Sequence, residues 1–246
     1  MKLLIIRHGD PDYANDTLTA QGRREAELLS LRMEKENVKQ IYVSPMGRAR
    51  DTASYTLKKK GMEGIICPWL QEFPVWIQRP DLPEGEKSVV WDWLPADWTK
   101  NAAFYDIDTW MQEKPMRESG VPEELDYVIH EWDKLIATLG YEREGRLYRA
   151  VKPNEDTYAF FCHFGLECVL LSRLLNIPPM PLWHGFCAPP TSVTTVYTEE
   201  RRQGIASFRV NAFGDTSHLY VAGEEPGFSA RFSQTYTSLL PHKRLD

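Results

Sequence analysis

Paired cysteines, long apolar runs and an excess of positive charge are all missing from this 246-residue sequence. Its four cysteines are Cys67, Cys162, Cys168 and Cys187, and none forms a Cys-x-x-Cys pair. That excludes the usual paired zinc-ligand and dithiol motifs. No stretch approaches the ~18 consecutive apolar residues of a membrane span, and the apolar run at the start is too short for a signal-peptide core. The balance of 29 Lys+Arg against 35 Asp+Glu, net −6, argues against broad binding to nucleic acid or to anionic membranes. The expectation is a reduced, cytoplasmic protein with neither nucleic acid nor membrane as partner. There is no internal repeat and no low-complexity segment. With 42% hydrophobic and 26% charged residues, the composition is that of a soluble globular chain. Its length is enough to bury roughly 70–75% of the unfolded surface.

What is there begins at residue 3. Leu3-Leu4-Ile5-Ile6 runs directly into Arg7-His8-Gly9. This reads as a buried strand over 2–6 whose tip carries a charged, nucleophile-capable pair. Thr19 is placed to cap a helix in which Ala26, Leu28, Leu29 and Met33 recur at helical spacing. Ile41-Tyr42-Val43 is a short strand closed by Ser44-Pro45, and a second helix runs from Gly47 to Lys59, ended by Gly61. A third strand is expected over Ile65–Leu70, with Glu72 at its tip. Tyr158–Cys162 is the next buried strand and leads into His163, followed by a helix over 164–175. Residues 192–198 and 205–210 alternate with β-branched residues and suggest a terminal hairpin. The tail after Gly223 reads as polar and irregular.

Strands separated by helices predict an α/β fold with a largely parallel sheet. The chain reads as a single domain, 1–246, with a helical insertion over 73–150 as a cap or lid. Trp76, Trp91, Trp93, Trp98 and Trp110 fall in that insertion, and linkers lack such aromatics. A parallel sheet brings its strand tips to one edge, where ligands of open α/β sheets sit. Arg7, His8, Glu72 and His163 would meet there, with Arg48 just inside the second helix. Two arginines offer permanent forks for the oxygens of an anion, and a histidine can act as nucleophile or base. The bland alternatives are a polar strand end for Arg7-His8, a helix-local pair of Arg48 with Asp51, and a satisfied core histidine for His163. Arg50 lies two positions from Arg48 and faces elsewhere. Asp10, Asp12 and Glu167 are rival acids to Glu72. His184 and His218 are assigned no role.

These segments together resemble the histidine phosphatase superfamily, also called phosphoglycerate mutase-like. The residues that carry the resemblance are Arg7-His8-Gly9, Leu18-Thr19-Ala20-Gln21-Gly22, Ser44-Pro45-Met46-Gly47-Arg48-Ala49-Arg50-Asp51-Thr52-Ala53, Cys162-His163-Phe164-Gly165 and Asp215-Thr216-Ser217-His218-Leu219. The resemblance implies a three-layer sandwich and a metal-independent phosphatase, without cofactor, acting on a small phosphorylated molecule. His8 would become a phosphohistidine, with Arg7, Arg48 and His163 binding phosphate. The physics agrees: phosphoryl transfer needs mainly positioning and charge stabilisation. Gly9 supplies a candidate carbonyl to fix the His8 tautomer, and the amide of Phe164 a further donor. His163 would donate most strongly if protonated. Glu72 matches the family's glutamate after the third strand, as proton donor and as activator of water. Asn15 corresponds to a phosphate-binding asparagine, offset by one position from the mutase pattern. Asp10 replaces a glutamate common after the family's Arg-His-Gly. Phe73-Pro74-Val75 stands where mutases carry an Arg-His-Tyr run, and the Glu-Ser-x-Trp-Asn run of their opening is absent. The reading is therefore a phosphatase, with mutase-type transfer as the alternative and a noncatalytic phosphate-ligand binding protein as the second alternative.

Overall fold

The computed structural model describes residues 1–229 and Thr235. Among the described residues, twelve strands and eight α-helices follow in order. The first part comprises β1 (Lys2–Arg7), β2 (Pro11–Asp12), β3 (Thr17–Leu18), α1 (Ala20–Glu34), β4 (Val38–Val43), α2 (Gly47–Lys60) and β5 (Gly64–Ile66). Next come β6 (Trp76–Ile77), β7 (Ser88–Val89), α3 (Pro95–Trp98), α4 (Lys114–Arg117), α5 (Val121–Thr138), β8 (Tyr141–Glu144) and β9 (Leu147–Ala150). The last part comprises β10 (Thr157–Cys162), α6 (Phe164–Leu175), α7 (Pro179–Gly185), β11 (Val193–Arg202), β12 (Ile205–Asp215) and α8 (Ser217–Val221).

Eight strands form one sheet in the order β5-β4-β10-β1-β11-β12-β9-β8. The half from β5 to β1 is parallel; from β11 onward the pairings are antiparallel. Strand β1 shows how the sequence builds this. Its apolar residues point alternately to the two faces. Leu3 and Ile5 join a core that contains Trp132 of α5 and Leu170 of α6. Leu4 and Ile6 join a second core with Leu29 and Met33 of α1 and Ala53 of α2. Helices on both faces give three layers, and a strand buried on both sides must be apolar throughout. Each of these side chains contributes about 1.5–3 kcal/mol by leaving water.

Local signals end the helices where expected. The Thr19 side chain accepts from the Gly22 amide at the start of α1. Gly61, with φ +62°, closes α2 in the left-handed conformation that glycine adopts without strain.

One expectation needs correction. The third strand stops at Ile66, and Pro68–Leu70 forms a 3-10 turn instead. Pro68 has no amide hydrogen to continue the ladder, and Trp69 and Leu70 tuck into the core. Glu72 therefore lies beyond a turn, not on a strand tip. Within 73–150, α5 packs on the sheet core and β8–β9 extend the main sheet beside β12. Short elements fill 76–117, and the buried Trp93, Trp98 and Trp110 belong to the same core as β1. The irregular tail expected after Gly223 lies, from residue 230 onward and apart from Thr235, outside the described residues.

Candidate active site

Parallel pairing sets the site. Arg7 pairs with Cys162 and Phe161 with Val43, so β1, β10 and β4 end level. The ladder runs one step further, His8 N donating to Cys162 O and Ser44 N to Phe161 O. Arg7, His8, Ser44 and His163 thus leave the sheet side by side, and α2 opens with Arg48 against them.

The His8 ring is buried. Its Nδ1 lies 2.7 Å from the carbonyl of Gly9. Arg48 Nε donates to Nε2 at 3.3 Å. A carbonyl only accepts, so Nδ1 carries the hydrogen and Nε2 keeps its lone pair. Burial, then Arg7, then Arg48 hold this imidazole well below its ordinary pKa, against the pull of the Gly9 carbonyl. The ring is neutral at neutral pH, as a nucleophile must be.

His163 stands with its ring centroid 5.1 Å from that of His8. Burial, His8 and the two arginines keep it neutral as well. Its Nε2 lies 2.8 Å from Ser44 Oγ, which already accepts from Met46 N. With the Ser44 hydroxyl donating to Nε2 the ring hydrogen sits on Nδ1, which is buried without a partner, and in that tautomer a neutral His163 has one donor to offer.

Arg7 donates from Nη1 to Ala188 O at 2.7 Å and to Ser229 O at 3.0 Å, and from Nη2 to Ser229 Oγ at 3.1 Å. Arg48 pairs with Asp16, Nη1 to Oδ1 at 2.6 Å, and lies over the ring of Tyr13. Asp51, the rival partner read from helix spacing, is taken by Thr17. Asp16 was not read from the sequence. It sits at φ +48°, accepts from Gly47 N and aims Arg48. The left-handed tolerance of aspartate is the one signal that pointed there. Thr52 was also missed: it accepts from Gly9 N and donates to Arg48 O, locking the two site segments together.

Glu72 joins this group by an indirect route. Its Oε1 accepts from Phe73 N and Leu166 N, both at 3.0 Å. It is therefore tied to the first turn of α6, which begins after His163. Burial raises its pKa; the two amides, Arg7 and Arg48 pull the other way. The insertion supplies a wall here. A Cβ on Gly165 would lie 2.7 Å from Glu72 Oε1 and 2.7 Å from Trp91 Nε1, so any larger residue there would displace these side chains, and Trp91 stands beside the carboxyl group.

Asn15 is not brought in. It is exposed and its side chain donates to Asp12 at 2.8 Å. The short hairpin β2–β3 turns it outward, so Asn15 does not stand where the sequence reading of a phosphate-binding asparagine put it. Of the rival acids, Asp12 holds that turn, Asp10 accepts from Thr19, and Glu167 is buried behind the site. His184 bonds Met180 O and Trp93 N, and His218 bonds Thr191 Oγ1. Among the described residues no group of three or more His, Cys, Asp or Glu could hold a metal ion, and no helix is long and apolar enough to cross a membrane.

Residues 3–105 match the model of the histidine phosphatase superfamily (branch 1). A probable phosphoglycerate mutase of Photorhabdus laumondii is 30% identical over 81 residues, which are 29% of this chain and 38% of that protein. The matched stretch thus spans well under half of that relative. Two solved structures cover nearly all of the fold. Phosphoserine phosphatase from Entamoeba histolytica, in complex with phosphoserine, has a TM-score of 0.56 at 20% identity, over 89% of this chain and 98% of that one. Mycobacterial glucosyl-3-phosphoglycerate phosphatase has a TM-score of 0.54 at 20% identity, over 86% and 98%. At such identities the likeness is one of fold.

Proposed function

Proceeding from a chain of the histidine phosphatase superfamily, we propose a phosphatase that hydrolyses a small phosphomonoester through a phosphohistidine on His8. One observation carries the reading: His8 presents an unprotonated Nε2 among two guanidinium groups and a second imidazole. A polar strand end with no task would not hold an unprotonated ring nitrogen in a cationic pocket.

In the first step Nε2 attacks phosphorus and the ester P–O bond breaks. The leaving alkoxide takes the proton of Glu72, whose burial raises its pKa above the ordinary carboxylate value. In the second step water attacks the phosphohistidine and gives a proton to Glu72. The N–P bond breaks, returning neutral His8 and free phosphate. Arg7, Arg48 and the Nδ1–H of His163 hold the equatorial oxygens. Two fixed guanidinium charges fill the place that a cation takes in other phosphoryl transfers.

Labelling tests this. A short incubation with a 32P-phosphomonoester and an acid quench of wild type should trap label that is acid-labile and alkali-stable. His8→Ala should trap none and lose turnover. Equal labelling of the variant removes His8 as nucleophile. The identity to a probable phosphoglycerate mutase supports the mutase alternative. Return of the label to a phosphoglycerate acceptor, rather than to water, would decide for it.

A further inference from the structure

We propose that the surface made by α1 and the β2–β3 hairpin is a docking site for the chain's own residues 224–229, and that docking there withholds the Nη1–Nη2 edge of Arg7 from an incoming phosphoryl group. The proposal rests on the reading of Arg7 as a phosphate ligand.

The segment is held at every second residue or closer. It leaves α8 through Gly223, whose φ of +73° makes the turn. Glu224 pairs with Arg24 at 2.8 Å. The Glu225 carbonyl accepts from Gln21 Nε2 at 3.3 Å. Gly227 N donates to Glu25 Oε1 at 2.6 Å. Ser229 ends on Arg7, with its carbonyl on Nη1, its hydroxyl on Nη2 and Tyr13 Oη 3.3 Å from the same hydroxyl.

Two features mark this as a built contact. Glu25 is a buried carboxylate in the middle of α1, where an unpaired charge is costly. Its two oxygens are given to Asp10 N and Gly227 N, so holding the segment is what satisfies it. Gly227 also packs directly on the residue that follows the Arg7-His8-Gly9 tip. A Cβ there would stand 2.6 Å from Asp10 Oδ1 and 2.9 Å from Asp10 Cβ. Only glycine lets the backbone lie so close.

The consequence follows from donor arithmetic. Of the five N–H of Arg7, Ala188 takes one and Ser229 takes two, one on Nη1 and one on Nη2; the second Nη2 hydrogen and the buried, unpartnered Nε–H remain. Phosphoryl oxygens that take the Nη1–Nη2 edge need the hydrogens that Ser229 holds, and a carbonyl lone pair repels an anion at that distance. Docked segment and phosphate therefore compete for the Nη1–Nη2 edge of Arg7. The apparent affinity for phosphate falls by the fraction of molecules left open, so a tenfold preference for docking weakens binding about tenfold.

The test uses full-length chains. Gly227→Val places a side chain into Asp10 and undocks the segment while leaving Arg7, His8, Arg48, His163 and Glu72 intact. Ser229→Gly removes one of the two contacts on Arg7. Binding of inorganic phosphate is measured by calorimetry at fixed ionic strength, with circular dichroism to check folding and aryl phosphate turnover alongside. Gly227→Val should bind phosphate about tenfold tighter, and Ser229→Gly about two- to threefold tighter. KM for the aryl phosphate should fall in parallel without loss of kcat. Unchanged or weaker phosphate binding in folded variants overturns the proposal, the weaker result showing that the segment completes the site. Should Gly227→Val not fold, Ser229→Gly decides on the same criterion. Absence of phosphate binding in every form removes Arg7 as a ligand and the proposal with it. Tighter binding without turnover in any form sustains the proposal and overturns the phosphatase reading.

Discussion

Glu167 offers a test of the electrostatics behind the site. It lies in the first turn of α6 and is 1% exposed, and no hydrogen bond of ordinary geometry reaches its carboxyl oxygens, although the Thr194 hydroxyl is close. Burial lifts its pKa from 4.5 to about 8; the nearby Thr194 hydroxyl and Arg7 oppose this and Glu72 adds to it. The folded pKa is above the unfolded one, so folding takes up a proton between the two. The stability is fully present below 4.5 and is lost as pH rises toward 8. Raising the pH from 4.5 to 7 costs about 3 kcal/mol, at about 1.4 kcal/mol per pH unit. Glu167→Gln keeps the shape and removes the titration, but its amide must be buried with no better partner. The net gain at pH 7 is then about 1–2 kcal/mol. Urea denaturation of both proteins at pH 5, 6, 7 and 8 measures it. The wild-type curve should fall with pH more steeply than that of the variant. Curves that run parallel across this range would show that Glu167 is not a buried acid titrating near 8, and the reasoning fails.

Further expectations concern the chemistry. Glu72→Gln should slow a poor alkyl leaving group by about 10²–10⁴-fold and a nitrophenolate much less; equal losses would remove it as the acid. Because its pKa is raised and that of His8 lowered, turnover should decline as pH rises through the Glu72 pKa and persist well below the ordinary imidazole value. A profile with an acid limb near 6.5 would place His8 in an unshifted environment. Gly165→Ala should cost about tenfold or more in kcat by displacing Glu72 and Trp91, with KM for the substrate little changed; wild-type kcat would show that the wall is soft. Turnover should survive exhaustive chelation, since Arg7 and Arg48 carry the compensating charge. Strict dependence on an added divalent cation would count against the mechanism.

The sequence by itself determined the frame. An apolar run ending in Arg7-His8, a capped helix after Thr19, and strands over Ile41–Val43 and Tyr158–Cys162 are set by local rules: side-chain period, capping and the left-handed freedom of Gly61. Those rules also place Arg7, His8, Arg48 and His163 at element ends, and parallel pairing then forces them together. Tertiary structure decided everything that depends on which distant atoms meet. Nothing near Asp16 in sequence says that it aims Arg48, because its partner lies on α2. Pro68 bends the chain so that Glu72 reaches the site through an amide of α6 and not from a strand tip. Asn15 turns to Asp12 because a two-stranded hairpin, not a long loop, carries it. The neutrality of His163 follows from its burial beside His8 and two arginines, which no spacing reveals. Local order is written in nearest neighbours along the chain; charge state and donor supply are properties of a folded neighbourhood.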